Sequence, residues 1–354
     1  MTYIFIIQGE GRGHMTQAIS LAQALGERGH SVLNVLIGTS PQREIPSFLK
    51  DFFGNRLEIF RSPNFIRIKD KKGIHIGFSF LYNFMRIPLY LYEIIRLSGF
   101  LRRSQADRII NFYDAIGGMA YKFSFCNKSA YVISHHYFLQ HPDFHPPGKA
   151  GIQGQLLKFY SYLCALGAES KIALSFTESQ DIPGKKLIIV PPLLRIELYK
   201  IEVKNESFCL VYLLNPGMIS EIEKWCISNP EEAVWIFTDS NNIKKSTLQN
   251  LNMQSLAGEA FINALAGCKS LVCTSGFETV AESAYLGKKV LLIPSKNHFE
   301  QLCNALDAER AGLAVKSEFF DPGLLTGEVQ KYDHGKVKEW FEKNPGMVVD
   351  IVTA

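Results

Sequence analysis

The seven cysteines of this 354-residue sequence form no CxxC pair, the chain has no low-complexity tract, and its most apolar segment is interrupted by charges and a proline. The cysteines, at 126, 164, 209, 226, 268, 273 and 303, mostly lie in apolar runs, as small buried residues do in a reducing compartment, so a cytoplasmic location is expected. The opening MTYIFIIQGEG holds an apolar run too short and too poor in basic residues for a signal peptide, and it reads as a first strand. Residues 78–100 are rich in aromatics and aliphatics but contain Arg86, Pro88, Glu93 and Arg96, which excludes a transmembrane span. They read as a helical segment broken at Pro88, with Arg102 and Arg103 at its far end. Packing on a sheet is one use for it, and a surface turned to a lipid monolayer or an acceptor is the other.

What is present is a chain 47% hydrophobic, long enough for two domains with a core each. The expected division is 1–192, a linker at 193–206 that follows Pro191-Pro192, 207–334, and a C-terminal helix in 335–354 that crosses back onto the first domain. The net charge of +4 hides an asymmetry: residues 1–177 hold 20 Lys+Arg against 11 Asp+Glu, and the remainder 18 against 23. A basic first half, with Arg67, Lys69, Lys71 and Lys72 on an exposed loop, suits an acidic partner. No nucleic-acid module accompanies it, so anionic lipid or a phosphorylated acceptor is the better candidate, with peripheral contact at the inner face of a membrane.

The chain is organised around 271–305, LVCTSGFETVAESAYLGKKVLLIPSKNHFEQLCNA. An apolar run at 271–273 passes through Thr274, Ser275 and Gly276 into a helical pattern at 278–286 that stops at Gly287. A turn of small residues at a helix start points free N–H groups and the positive end of the dipole at one spot, which suits a diphosphate. Glu282 lies one helical turn after Glu278 on the same face. A second apolar run closes at Pro294, and the next helix carries Glu300, Gln301 and Asn304. Each polar group thus lies beyond the C-terminal end of a parallel strand, where open α/β sheets bind ligands.

Through Ser275, Gly276, Phe277, Glu282, Pro294, Glu300, Gln301, Asn304 and Ala305 this stretch resembles the nucleotide-sugar site of GT-B glycosyltransferases. The inverting UDP-glycosyltransferases and the bacterial N-acetylglucosaminyltransferases of lipid-linked cell-wall precursors are the nearest groups. The resemblance implies an α/β fold of two Rossmann-like domains facing across a cleft. It also implies that the small-residue turn holds diphosphate, the helix glutamate the ribose, and the Glu300–Gln301 pair the sugar. Thr274 departs from the pattern, since UDP-glycosyltransferases often have a histidine there. The segment 259–262, with Phe261 and Ile262, would flank the nucleobase, and the turn Asn215-Pro216-Gly217 would touch donor phosphate.

In the first half, a strand at 3–7 leads into Gly9, Glu10, Gly11, Arg12, Gly13 and His14 and then an amphipathic helix. A dinucleotide site is disfavoured, because the spacing is GxGxG and the next strand, at 32–37, ends in Gly38-Thr39-Ser40 with no acid for a ribose. The turn resembles the first loop of the same cell-wall enzymes, which ends in Gly-His. His14 is therefore expected at the cleft, as base or substrate contact, a histidine that merely caps the helix being the alternative. Asp114, at the end of a strand at 108–112, would orient His14 or the acceptor. His135, His136, His141 and His145 follow the strand at 130–134, but Pro142, Pro146 and Pro147 prevent the helical spacing that would align metal ligands, and a cleft-lining loop is expected.

The expected activity is metal-independent, inverting transfer from a UDP-sugar, a co-substrate rather than a cofactor, to a hydroxyl of a glycan, glycolipid or cell-envelope precursor. No Asp-x-Asp clamp is present, and the glutamate pair that retaining GT-B enzymes carry eight positions apart is broken by Thr274. A UDP-N-acetylglucosamine 2-epimerase shares the fold, but its Gly-Thr-Arg-Pro opening is absent. A silent nucleotide-sugar-binding subunit and a nicotinamide dehydrogenase are the other readings.

Overall fold

The structure is a computed structural model that describes residues 1–41, 43–63, 76–148, 151–213, 216–238, 246–256, 258–327 and 331–354. The basic loop carrying Arg67, Lys69, Lys71 and Lys72 lies outside the described residues, as does Asn215. The chain forms two compact units: described residues of 1–195 with 340–354, and those of 196–339.

The first unit is a parallel sheet of β1 (Thr2–Gln8), β2 (Ser31–Thr39), β3 (Leu57–Arg61), β4 (Arg108–Phe112), β5 (Ser129–Ile133), β6 (Ser170–Leu174) and β7 (Leu187–Val190). Its order is β3-β2-β1-β4-β5-β6-β7. Tyr3, Ile4, Phe5, Ile6 and Ile7 are all fully buried, which is why the strand reads as an unbroken apolar run: helices cover both faces of a parallel sheet. The order reverses between β1 and β4, where Tyr3 faces Arg108 and Ile7 faces Phe112. The helices are α1 (Arg12–Glu27), α2 (Ser47–Phe53), α3 (Ile76–Met85), α4 (Ile87–Arg103), α5 (Ala115–Ser124) and α6 (Ile152–Cys164). In α1 the buried Met15, Ala18, Leu21 and Leu25 recur at helical spacing.

The helical segment expected to break at Pro88 breaks instead at Arg86, between α3 and α4. Pro88 sits in the first turn of α4, where its missing N–H is one that has no partner in the helix anyway.

The second unit repeats the design with β8 (Phe208–Leu213), α7 (Ile219–Ser228), β9 (Ala233–Thr238), β10 (Leu251–Ser255), α8 (Gly258–Gly267), β11 (Ser270–Cys273), α9 (Phe277–Tyr285), β12 (Lys289–Leu292), α10 (Phe299–Arg310) and β13 (Val315–Lys316). All pairs are parallel, in the order β10-β9-β8-β11-β12-β13, so the reversal falls between β8 and β11. Both units are therefore doubly wound Rossmann-like sheets. Two edge strands escape the sequence pattern. β10 is half polar and β13 has two residues, and an edge strand needs no continuous apolar run.

Buried Lys288 donates to the Lys204 carbonyl and to Asn205 Oδ1 (3.3 Å), which ties the segment before β8 to the second unit. After α11 (His334–Glu342) the chain adds α12 (Gly346–Thr353), a helix the sequence pattern does not announce. The end of α12 is held within the first unit, where Tyr3 Oη and an Arg108 guanidinium nitrogen both donate to Val352 O, at 3.1 and 2.9 Å; on α11, Trp340 Nε1 donates to Ser175 O at 3.1 Å.

Candidate functional site

In each unit some of the residues expected at the site lie just beyond the two strands flanking the reversal, where open α/β sheets bind ligands, while Glu300, Gln301 and Asn304 follow β12. In the first unit the flanking strands are β1 and β4. Gly9 N donates to Gly38 O at 2.7 Å, and a Cβ on Gly9 would lie 2.6 Å from that oxygen, so the strand ends close up only because glycine stands there. Glu10 Oε1 accepts from Ser40 N at 3.3 Å, which fastens the loop to the end of β2. Gly11 is the N-cap of α1 in extended conformation, with open space where its Cβ would be and no side-chain cap on the helix. His14, three positions past that cap, is thus not a helix cap, which removes the alternative role given to it above. Gly13 lies between them in the first turn.

The His14 ring is half buried, and its Nδ1 lies 3.3 Å from Oε1 of Gln17, one turn further along α1. Its face stacks near Tyr113, with ring centroids 5.7 Å apart and planes 27° apart. Tyr113 stacks in turn on His136 at 4.1 Å and 10°, and its hydroxyl is 2.6 Å from Ser161 Oγ. Tyr113 has φ 62°, a left-handed conformation costly for a residue with a large side chain and kept only where surrounding packing over-determines it. Neither Tyr113 nor Gln17 is among the residues expected from the sequence. Gln17 could have been found from its three-residue helical spacing to His14, and Tyr113 from its place just beyond β4.

Asp114 is fully buried, and its carboxylate oxygens bond Gly117 and Ser62. Oδ1 accepts from Gly117 N at 2.8 Å, capping α5, and Oδ2 accepts from Ser62 Oγ at 2.6 Å. The Asp114 N–H donates to Asn111 Oδ1 at 2.9 Å. A Cβ on Gly38 would lie 2.2 Å from Oδ2, so the acid, Ser62 and the end of β2 form one close-packed knot. Burial pushes the Asp114 carboxyl up to about 6, against the pull of the Ser62 and Gly117 bonds. The expected role of orienting His14 is thus not matched by a bond: this acid caps a helix and pins strand ends together.

The four histidines after β5 go to different partners. His135 Nδ1 bonds Leu174 O at 2.8 Å, His136 Nδ1 lies 2.6 Å from Ser134 Oγ, His141 Nε2 bonds Gln180 O at 2.9 Å, and His145 Nδ1 bonds Asp143 O at 2.8 Å. Among the described residues no group of three His, Cys, Asp or Glu side chains could hold a metal ion.

In the second unit, β11 leads through half-buried Thr274, buried Ser275 and exposed Gly276 into α9. Gly276 is the N-cap and no side chain caps the helix. Ser275 takes φ 63°, and Asn304 Nδ2, on α10, donates to its carbonyl oxygen at 3.2 Å. Ser275 Oγ and Asn304 Oδ1 are both buried and have no hydrogen-bond partner among the described residues. A buried polar atom without a partner costs about 1–3 kcal/mol, so two of them beside one helix start suit a polar ligand. Burial pushes the neighbouring Cys273 thiol up to about 12, which keeps it protonated.

All of α9 is buried, Glu278 in its first turn and Glu282 one turn later. It ends in a Schellman turn: Gly287 (φ 67°) donates to Ala284 O at 3.1 Å and Lys288 N to Ser283 O at 2.8 Å. On α10, Glu300 lies in the first turn, and Gln301 Oε1 accepts from Ser295 N at 2.8 Å, which ties the β12–α10 loop down. His298 caps that helix. Gly217 sits half buried in the turn after β8. Phe261 and Ile262 are buried on α8, Phe261 against the rings of Tyr212 (5.2 Å) and Phe237 (5.7 Å).

Residues 165–327 match the model of the family described as Glycosyl transferase family 1. A UDP-N-acetylglucosamine--N-acetylmuramyl-(pentapeptide) pyrophosphoryl-undecaprenol N-acetylglucosamine transferase from Alkaliphilus oremlandii (strain OhILAs) is 28% identical over 113 residues. That match spans 28% of this chain and 31% of that protein. Among solved structures, the glycotransferase of kitacinnamycin aligns over 99% of this chain and 98% of its own, with TM-score 0.64 and 13% identity. A Medicago truncatula UGT complexed with UDP-glucose aligns over 100% and 98%, with TM-score 0.62 and 13% identity. With two doubly wound parallel sheets and these neighbours, the chain has the GT-B fold.

Proposed function

We propose that this chain of GT-B fold is a metal-independent, inverting glycosyltransferase that moves a sugar from a UDP-sugar to a hydroxyl of a glycan, glycolipid or cell-envelope precursor. The observation that carries the reading is the Ser275–Asn304 pair: two buried polar atoms without partners, on the turn that opens α9, inside the stretch that matches the glycosyl transferase model.

In this reading the second unit holds the donor. Backbone N–H groups at the start of α9 and the Ser275 hydroxyl bind the diphosphate, supplying the positive potential that a cation supplies elsewhere. Glu282 takes the ribose hydroxyls, while Glu300 and Gln301 take the sugar. The acceptor oxygen attacks C1 opposite the diphosphate, so the new O–C1 bond forms as the C1–O bond to phosphate breaks. The acceptor proton goes to His14 and the electron pair leaves with UDP, which inverts C1.

The acceptor reading includes a lipid-linked molecule reached by peripheral contact with a membrane. Phe84 and Met85 on α3, and Tyr92 and Ile95 on α4, are more than half exposed, with Arg102 and Arg103 in the last turn of α4. Apolar side chains bordered by arginines suit an anionic bilayer surface. Among the described residues no helix is long and apolar enough to cross a membrane. Thermal-shift screening of nucleotide sugars, followed by assay of released UDP with and without acceptor, tests the function. A chain that no UDP-sugar stabilises, or that binds one and releases no UDP with any glycan or lipid-linked acceptor, would overturn it. Co-sedimentation with anionic vesicles tests the membrane contact, which fails if neutral and anionic vesicles bring down the protein equally.

A further inference from the structure

The reading of His14 as proton acceptor requires one ring nitrogen to present a lone pair, and Asp114, the acid expected to orient that ring, is bonded elsewhere. Both carboxylate oxygens of Asp114 are engaged, one by the Gly117 N–H and the other by the Ser62 hydroxyl. Among the described residues, Gln17 is a polar side chain that meets the His14 ring, with Oε1 3.3 Å from Nδ1. We infer that Gln17 is the positioning residue of this site, holding His14 as the Nδ1–H tautomer so that Nε2 carries the lone pair that receives the acceptor proton. The inference rests on the reading of His14 given under Proposed function.

A neutral imidazole has one N–H and one lone pair, and an amide oxygen can only accept. A bond from Nδ1 to Oε1 therefore places the proton on Nδ1 and leaves Nε2 as the basic atom. The geometry around the ring is fixed in two directions. Gln17 is buried and stands on the same rigid helix one turn away, so it acts on the ring edge, while Tyr113, held by Ser161 and stacked on His136, lies against the ring face. The strained backbone of Tyr113 fits this use, because a left-handed non-glycine residue persists where packing demands a particular ring position. A hydrogen bond of 3.3 Å is long, as such contacts often are before substrate tightens the site.

The test reads the tautomer directly and needs no acceptor. Protein labelled with 15N-histidine is compared with His14→Ala to identify the His14 ring nitrogens, then with Gln17→Leu and Gln17→Glu. Near neutral pH, His14 of the native protein should carry its proton on Nδ1. Gln17→Leu should lose that preference and Gln17→Glu, which again presents an acceptor oxygen, should restore it, a rescue that a merely space-filling glutamine would not show. With an active donor and acceptor pair, Gln17→Leu should lower kcat roughly 10- to 100-fold with the donor KM unchanged. A native His14 protonated on Nε2, or a tautomer identical in Gln17→Leu, overturns the inference. Should Gln17→Leu fail to fold, the native tautomer decides alone. Failure of the underlying reading looks different: His14→Ala would then transfer sugar at the parent rate whatever the tautomer.

Discussion

Replacing Asp114 with Asn separates the structural role of this acid from a catalytic one. The carboxyl is completely buried, and desolvation raises it from the ordinary 3.8 to about 6 despite the Ser62 and Gly117 bonds. Because the folded-state value lies above the unfolded one, the native protein takes up this proton first as pH falls, so stability is gained below about 4 and lost as pH rises through about 6. At about 1.4 kcal/mol for each pH unit, the ionised carboxylate costs the native state about 3 kcal/mol at neutral pH. Asn keeps the N-cap, since its side-chain oxygen still accepts from Gly117 N, and Ser62 can turn its hydroxyl to accept from the new amide. Asp114→Asn should therefore be more stable than the parent by about 3 kcal/mol at pH 8, with the difference shrinking toward zero at pH 4. Urea unfolding of both proteins from pH 4 to 8 measures this, and contributions from other groups, such as Asp307 (raised to about 7 by burial), cancel in the difference. A stability difference that is flat across that range would refute the account. Turnover gives the second reading: with His14 held by Gln17, Asp114→Asn should keep kcat within a few-fold.

Four further outcomes are expected. His14→Ala should bind UDP within a few-fold of the parent by calorimetry while turnover falls ~10²–10⁴-fold, the range of a positioned base; parent-rate transfer would exclude that role. Glu282→Gln should weaken UDP binding about 10-fold, the difference between a charged and a neutral acceptor, and unchanged affinity would remove Glu282 from the donor site. Gly38→Ala drives a Cβ to 2.2 Å from Asp114 Oδ2 and 2.7 Å from Ser62 Cβ, so denaturant unfolding should show a loss of about 1–3 kcal/mol or more. Excess EDTA should leave turnover nearly unchanged, and a loss that only a divalent ion restores would return a metal to the mechanism.

The two-sheet fold was legible because parallel strands buried on both faces leave unmistakable apolar runs, as at Tyr3–Ile7 and in β8, and because helices between them start and stop at small residues. The turn from Cys273 to Phe277 was legible for the same reason. β10, β13 and α12 were not, since half-exposed edges and a helix after a proline carry little local signal. The break before Pro88 was misjudged by two residues because proline is tolerated at a helix start as readily as it ends one.

The sequence by itself determined the order of strands and helices, the likeness of the two halves, and which polar residues follow each strand, because burial periodicity and turn chemistry act over a few neighbouring positions. Only the tertiary structure decided what those residues touch. Asp114 and His14 both follow strands at the reversal point, yet the acid is claimed by Ser62 and Gly117 while the histidine meets Gln17 and Tyr113. Ser275 is a turn residue in any reading, but its burial beside Asn304, 29 positions away, exists only once β11, α9 and α10 have packed. Such pairings depend on directions and distances of a few ångströms between segments far apart in the chain, and no local pattern of residues encodes them.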